Sequence, residues 1–404
     1  MPRLSVFLAA LVVLAACDSG LEADEVGPVA LRPQAQAAMS PGVLRAGLTA
    51  TGRVGTGSLV AGAAGAPEVL VESDYDPIYA AGLWLAGAQG GETRVNALYD
   101  DESNYGPCGY GTDGVFHLSA DSAYALGAWP VSAGAPVTAS GTPRVYGDEM
   151  LWTSLCSVPS DPTVLLDRPA MGLRVNVAVF RYDADPLSLY VRYELRNEGT
   201  QRLTDAYLGQ WADPDWVEPG DNLSGYDVGR RLSYVYLSPD SYRTDGRQHD
   251  AAERGQVTGF SVLETPGDAP VAGHRRLDKN LAGPTTDVPS TRDGYTYGAY
   301  LHALMGLGND GSELPGAPSR FAFTGDPVAG TGDVDAQDPD GDGAVNGREL
   351  RTLLSAGPFS LAPGEARPFT VVWSVAVGDD LGDGIGKLAA RVDAVRAAPS
   401  RWRF

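Results

Sequence analysis

Lysine is nearly missing from this chain. Only Lys279 and Lys387 occur among 404 residues, which leaves little room for Schiff-base chemistry. Histidine is scarce as well. His117, His249, His274 and His302 lie far apart in sequence, so a histidine-built metal or catalytic centre is not expected. Basic charge is in deficit: 30 Lys and Arg face 51 Asp and Glu, for a net charge of −21. A surface this acidic repels phosphate backbones, and nucleic-acid binding is excluded on that ground. Long apolar runs are lacking too. No stretch reaches the 18 residues that a membrane-spanning helix needs. Gly-x-Ser-x-Gly, Walker, His-Glu-x-x-His and Cys-x-x-Cys patterns are all missing. The glycine-rich run Gly52–Gly62 fits neither phosphate-binding spacing and reads as strand and turn.

Glycine (51) and proline (29) make up about a fifth of the chain, a composition of many turns and short strands. Period-2 alternation supports this. Leu173, Val175, Val177 and Val179 alternate with Arg174, Asn176 and Ala178, and Leu189, Val191, Tyr193 and Leu195 follow across a turn. That pattern predicts a hairpin with one apolar and one polar face. Phe369, Val371, Trp373, Val375 and Val377 predict a further strand, with Val372 the exception on its polar face. Shorter candidates are Val69–Val71, Gly82–Leu85, Leu232–Leu237 and Thr296–Leu301. The expected fold is mainly β, a β-sandwich with two packed β regions near 40–240 and 241–404. A C-terminal helix is expected over 380–397, where Leu381, Ile385, Leu388, Val392 and Val395 make one face and Asp379 and Asp380 suit its N-terminus. A shorter helix is expected from Gly347 to Ala356, with Leu350, Leu353 and Leu354 inward.

The first residues carry an address. Arg3 precedes an apolar run from Val6 to Ala16, the pattern of a secretory signal over 1–16. Leu14-Ala15-Ala16-Cys17 resembles the lipobox of bacterial lipoproteins, which implies that Cys17 becomes the lipid-modified first residue. Residues 17–39, polar and acidic, read as a flexible tether. With Cys17 lipidated, Cys108 and Cys156 remain as an even pair for a disulfide in an oxidising compartment. The expected location is the cell envelope, at the outer membrane or cell surface rather than the inner membrane, with the membrane itself a partner through the anchor.

The sharpest chemical signal is Asp338-Pro339-Asp340-Gly341-Asp342-Gly343-Ala344-Val345-Asn346-Gly347-Arg348-Glu349. It fits the twelve-residue calcium loop at every diagnostic position. Asp338, Asp340 and Asp342 stand at 1, 3 and 5, and Gly343 makes the turn at 6. Ala344 offers its carbonyl at 7, Asn346 stands at 9 and Glu349 at 12. All-oxygen ligands in a roomy loop favour Ca²⁺. The Gly/Pro-rich approach 324–337 cannot form an entering helix. The loop therefore resembles the EF-hand-type loops of secreted bacterial modules such as dockerins, a structural staple rather than a switch. Asp333 and Asp335 just upstream are weaker candidates for a second ion.

A second acidic cluster, Trp211–Asp227, interleaves Asp213, Asp215, Glu218, Asp221 and Asp227 with Trp211, Trp216 and Tyr226. It allows three readings: an acidic loop with aromatic anchors, a second calcium site, or carbohydrate binding or hydrolysis by a carboxylate pair. Finally, Ala81–Gly87, Tyr207–Asp215, Phe323–Val328 and Gly357–Glu365, in that order, resemble a loosely described group of large secreted bacterial proteins. Many of that group end in a type IX sorting domain. The resemblance implies a β-rich envelope protein and lends no catalytic residue. The expectation is a lipid-anchored, calcium-binding protein with a structural, adhesive or ligand-binding role, whose further partner is a glycan or an envelope protein. The alternative is polysaccharide chemistry at 211–227.

Overall fold

The computed structural model describes residues 31–32, 34–40, 44–57, 76–99, 102–108, 114–157, 170–216, 220, 222–237, 255–278, 298–314, 319–335, 347 and 349–404. The first strands are short: β1 (Gln36–Ala38), β2 (Gly47–Thr49) and β3 (Val54–Gly57). Then come β4 (Asp76–Gln89), β5 (Glu92–Asn96), β6 (Leu98–Tyr99), β7 (Glu102–Ser103), β8 (Tyr105–Pro107) and β9 (Phe116–Ser119). The long central strands are β10 (Glu149–Ser157), β11 (Leu173–Arg181), β12 (Ser188–Asn197) and β13 (Leu203–Asp215). They are followed by β14 (Asn222–Asp227), β15 (Leu232–Leu237), β16 (Gln256–Glu264) and β17 (Val271–Asp278). The helix α1 (Gly298–Leu304), strands β18 (Leu350–Leu361) and β19 (Ala366–Val377), and the helix α2 (Leu381–Arg396) complete the order.

Two antiparallel sheets form the sandwich. The first runs β1-β2-β3-β4-β13-β18-β17, with β5 on β4; the second runs β14-β15-β16-β19-β12-β11-β10-β8, with β9 on β10. The expected division at residue 240 does not separate them. In the second sheet β19 sits between β12 and β16, and in the first β18 lies against β13. Both sheets draw strands from both halves, so the two β regions are two interleaved layers.

The hairpin of β11 and β12 forms in the register that the alternation requires, Val175 opposite Leu195, Val177 opposite Tyr193 and Val179 opposite Val191. These residues face the first sheet in the main core with Trp84 and Trp211. The expected polar face is not solvated. A third layer covers it, made by residues 124–146 and the C-terminal turn around Trp402. The polar residues are buried with partners: Asn176 Nδ2 donates to Ala133 O at 3.0 Å, and Arg192 Nη1 donates to Glu264 Oε2 at 2.5 Å. Val372, the misfit on the polar side of β19, packs into this layer.

The C-terminal helix stands where expected. Asp380 caps it by accepting from Asp383 N at 2.9 Å, and Leu388 and Val392 pack on Val257 and Ala376. Two local expectations are corrected. Residues 350–356 belong to β18, a central strand buried on both faces; double burial removes alternation, and a leucine-rich run then looks helical. Within Thr296–Leu301 the described part is the start of α1 instead, its Tyr300 and Leu304 buried against the main core. Val69–Val71 lies outside the described residues.

Residues 31–32 and 34–39, expected within a tether, belong to the folded body. Leu31 is buried with Phe116 and Trp129, Gln34 N donates to Val115 O at 2.9 Å, and β1 pairs with β2. Apolar Leu31, Ala37 and Met39 draw residues 31–39 into the body. Cys108 and Cys156 form a disulfide, with Cα atoms 4.9 Å apart. A strap over 319–335 closes one open side of the sandwich. It pairs with β17 through His274 N donating to Arg320 O (3.0 Å), and with β14 through Tyr226 N donating to Phe323 O (2.8 Å). Both edge strands are thereby covered.

Candidate functional site

The chemistry-bearing acids gather at one end of the first sheet, where β13, β18 and β17 run side by side. The register sets Ala212 opposite Thr352 and Leu277 opposite Arg351, so Asp213 comes beside Arg351. Their ion pair is 2.7 Å long, with both side chains under 5% exposed. Arg351 Nη1 also donates to Glu349 Oε1 at 3.2 Å. Alternation puts Arg276 and Asp278 on the other face, paired at 2.8 Å. Arg276 additionally pairs with Asp335, whose Oδ2 accepts from Ser224 N at 2.9 Å. Burial pushes the Asp335 carboxyl upward, with the Arg276 charge acting against it. Asp335 is therefore committed to an arginine, and Asp333 accepts from Phe323 N at 2.7 Å.

The 211–227 cluster is taken apart by the fold. Trp211 lies flat against Trp84 in the core, ring centroids 6.4 Å apart. Trp216 is buried and its Nε1 donates to Gln256 O at 3.0 Å. Tyr226 stacks between His274 (4.8 Å) and Phe321 (5.4 Å). A sugar-binding platform needs solvent-facing rings, and these three are core. Asp213 is held by Arg351, and Asp227 by Arg230 at 2.8 Å. Asp215 ends β13, while Glu218 and Asp221 lie outside the described residues. Asp213 and Asp227 are thus each engaged by an arginine.

Of the calcium loop, Asp338, Asp340, Asp342, Ala344 and Asn346 lie outside the described residues. Glu349 is described, half-buried at the head of β18. The element leaving the loop is thus a strand, which departs from the EF-hand and removes the expected exit helix. The donor set of the loop is oxygen throughout, and Glu349 directly precedes β18, so these residues fit a hard cation. Its bond from Arg351 is long for a charge-assisted one. No group of three or more His, Cys, Asp or Glu able to hold a metal occurs among the described residues.

Two clusters escaped sequence reasoning because their members meet only through tertiary contacts between elements far apart in the chain. Glu149 accepts from His117 Nε2 at 2.6 Å and from Ser40 N at 2.6 Å, and pairs with Arg181 at 2.8 Å. Burial acts to raise this carboxyl, but the His117 and Ser40 hydrogen bonds and the Arg181 charge prevail and hold it at about 2. It clamps the entering chain to the second sheet. His274 is fully buried, with Nδ1 2.8 Å from Ala322 O and Nε2 2.9 Å from Ser233 Oγ. Nδ1 therefore donates to the carbonyl and Nε2 accepts from the hydroxyl. Burial pushes its pKa down to about 4, partly offset by the Ala322 bond. This Ser–His pair is enclosed and serves packing. A surface concavity of about 570 Å³ lies beside α2 and is lined by Leu187, Ala376, Lys387 and Arg391. Its Arg391 is paired with Asp185 at 2.5 Å. No helix among the described residues is long and apolar enough to cross a membrane.

No protein-family model matches the sequence, and no curated relative matches it. Solved structures align only distantly. A polysaccharide lyase aligns over 76% of this chain and 27% of its own, at 10% identity and a TM-score of 0.29. A candidate aldose 1-epimerase from Escherichia coli K12 aligns over 85% of this chain and 99% of its own, at 10% identity and 0.32. A candidate kojibiose phosphorylase from the human microbiome aligns over 83% and 28%, at 7% identity and 0.31. The chain spans about a quarter of the lyase and of the phosphorylase. Alignments at these scores lend no activity.

Proposed function

We propose that this is a lipid-anchored protein of the cell envelope, at the outer membrane or cell surface, whose calcium-stapled sandwich binds or displays a ligand rather than transforming one. One observation carries the reading. The fold joins Cys108 to Cys156, and of three cysteines only Cys17, at the lipobox-like site, is left over. A disulfide suits an exported chain, and the odd thiol stands where a lipid would be attached. The pairing of Asp213 with Arg351 and of Asp227 with Arg230 supports a binding role over hydrolysis, since two carboxylates of 211–227 are engaged by arginines. The partners under this reading are the membrane, through the anchor, and a glycan or envelope protein. Calcium acts as a structural ion at Asp338, Asp340, Asp342, Ala344, Asn346 and Glu349.

The test has two arms. Cys17→Ser should abolish metabolic labelling by a lipid precursor and release the protein from the membrane fraction; unchanged labelling overturns the anchor. The mature domain, screened on a glycan array with and without calcium, should bind without generating new reducing ends. Release of reducing ends, lost in Asp213→Asn, would establish the polysaccharide-active alternative.

A further inference from the structure

The longest uncharged run in the chain is Ser122–Pro143, between Asp121 and Arg144. At the chain's 20% charged residues, 22 positions would carry about four charges; this run carries none. It forms the outer layer over the second sheet. Two 3-10 turns, Leu126–Ala128 and Val131–Ala133, flank Trp129. Trp129 is buried and donates from Nε1 to Pro136 O at 2.8 Å, which folds 136–137 back onto the turns. The layer is thus ordered, yet Leu126 (45%), Val131 (44%) and Val137 (36%) remain exposed, among exposed Ala123, Ala125 and Ala128. A bare apolar surface on a chain of −21 marks a place where something other than water is met.

The entry of the chain identifies what. Leu31 is buried in the same cluster as Phe116, Trp129 and Ala133, so the first described residue of the chain lies at this layer. Fourteen residue steps separate Cys17 from Leu31. Fully extended, fourteen residues span at most about 50 Å. A lipid on Cys17 therefore holds this layer within that reach of the bilayer. Headgroup phosphates repel the acidic remainder of the surface but not an uncharged face. Small apolar side chains on a rigid support then enter the interface to a shallow depth.

We infer that the 122–143 layer is a membrane-docking face that rests the anchored body on its own lipid surface, with Leu126, Val131 and Val137 entering the interface. The inference rests on the anchor reading above, and the experiment keeps the two apart. The mature chain from Asp18, carrying an N-terminal hexahistidine, is tethered to vesicles of phosphatidylcholine and phosphatidylethanolamine with a small fraction of nickel-chelating lipid. This bypasses Cys17. A fluorescent NBD probe on Leu126→Cys should shift to the blue and be quenched several-fold more by brominated lipid than the same probe on Val228→Cys, which is exposed far along the chain (58%). Adding Val131→Asp should remove most of that difference while leaving tethering intact. Equal quenching at 126 and 228, or a blue shift that needs no vesicles and grows with protein concentration, overturns the inference; the latter assigns the face to a second copy of the chain. Loss of Cys17 labelling sinks the anchor alone, because docking is measured here without it.

Discussion

Replacing Asp213 tests most directly whether the acidic end of the first sheet is structural. Asp213 and Arg351 are buried, 2.7 Å apart. Asp213→Asn removes the carboxylate from the buried Arg351 guanidinium and leaves it the long contact to half-buried Glu349 among its neighbours. Removing one member of a buried pair typically costs about 3–5 kcal/mol. Glu349 supplies partial compensation, which puts the expectation at the lower end, about 3 kcal/mol. Arg351→Met is the harsher change, since it takes the cation away from a buried carboxylate, and should cost about 4–5 kcal/mol. The double variant Asp213→Leu/Arg351→Met removes both charges and should recover most of the loss. Urea unfolding of the oxidised mature domain reads this out; at an m-value of about 3 kcal/mol/M, the single variants shift the midpoint down by about 1–1.7 M. The reasoning is refuted if Asp213→Asn unfolds like wild type, or if the double variant is as unstable as the sum of the singles. Either result would free Asp213 for chemistry.

Three further outcomes are expected. The oxidised domain should show no titratable thiol after denaturation, and Cys108→Ser with Cys156→Ser should lose about 3–4 kcal/mol, the chain-entropy value for closing a loop of 48 residues. Calcium at roughly 10 mM should stabilise by about 2.7 kcal/mol if Kd is near 10⁻⁴ M, measured as Tm at constant high ionic strength to remove screening. Glu349→Gln should lose most of that gain, and an equal response to Mg²⁺ would mark the loop as an acidic turn. His274 is held neutral with its pKa at about 4 against 6.5 unfolded. The unfolded chain therefore binds the extra proton between those values, and stability falls by roughly 3 kcal/mol as pH drops from 6.5 to 4. His274→Phe should flatten that window in pH-dependent unfolding, and a slope that persists would assign it to other groups.

Local pattern alone determined a good deal. The alternation in 173–179, 189–195 and 369–377 encoded strands and which residues share a face, because side chains repeat with period 2. The spacing from Leu381 to Val395 encoded α2, and the cysteine count encoded the disulfide once Cys17 was set aside. Tertiary structure decided what local pattern cannot express. A third layer over the second sheet buried Asn176 and Arg192, which the alternation had placed in water. Burial on both faces erased the period of Leu350–Ala356 and made a central strand read as a helix. Trp211, Trp216 and Tyr226 look like a recognition surface beside their acids, yet register places them in the core and hands Asp213 to Arg351. Periodicity records one face of one element. Burial and charge pairing are set by which other element arrives at that face, and this depends on contacts far apart in the chain.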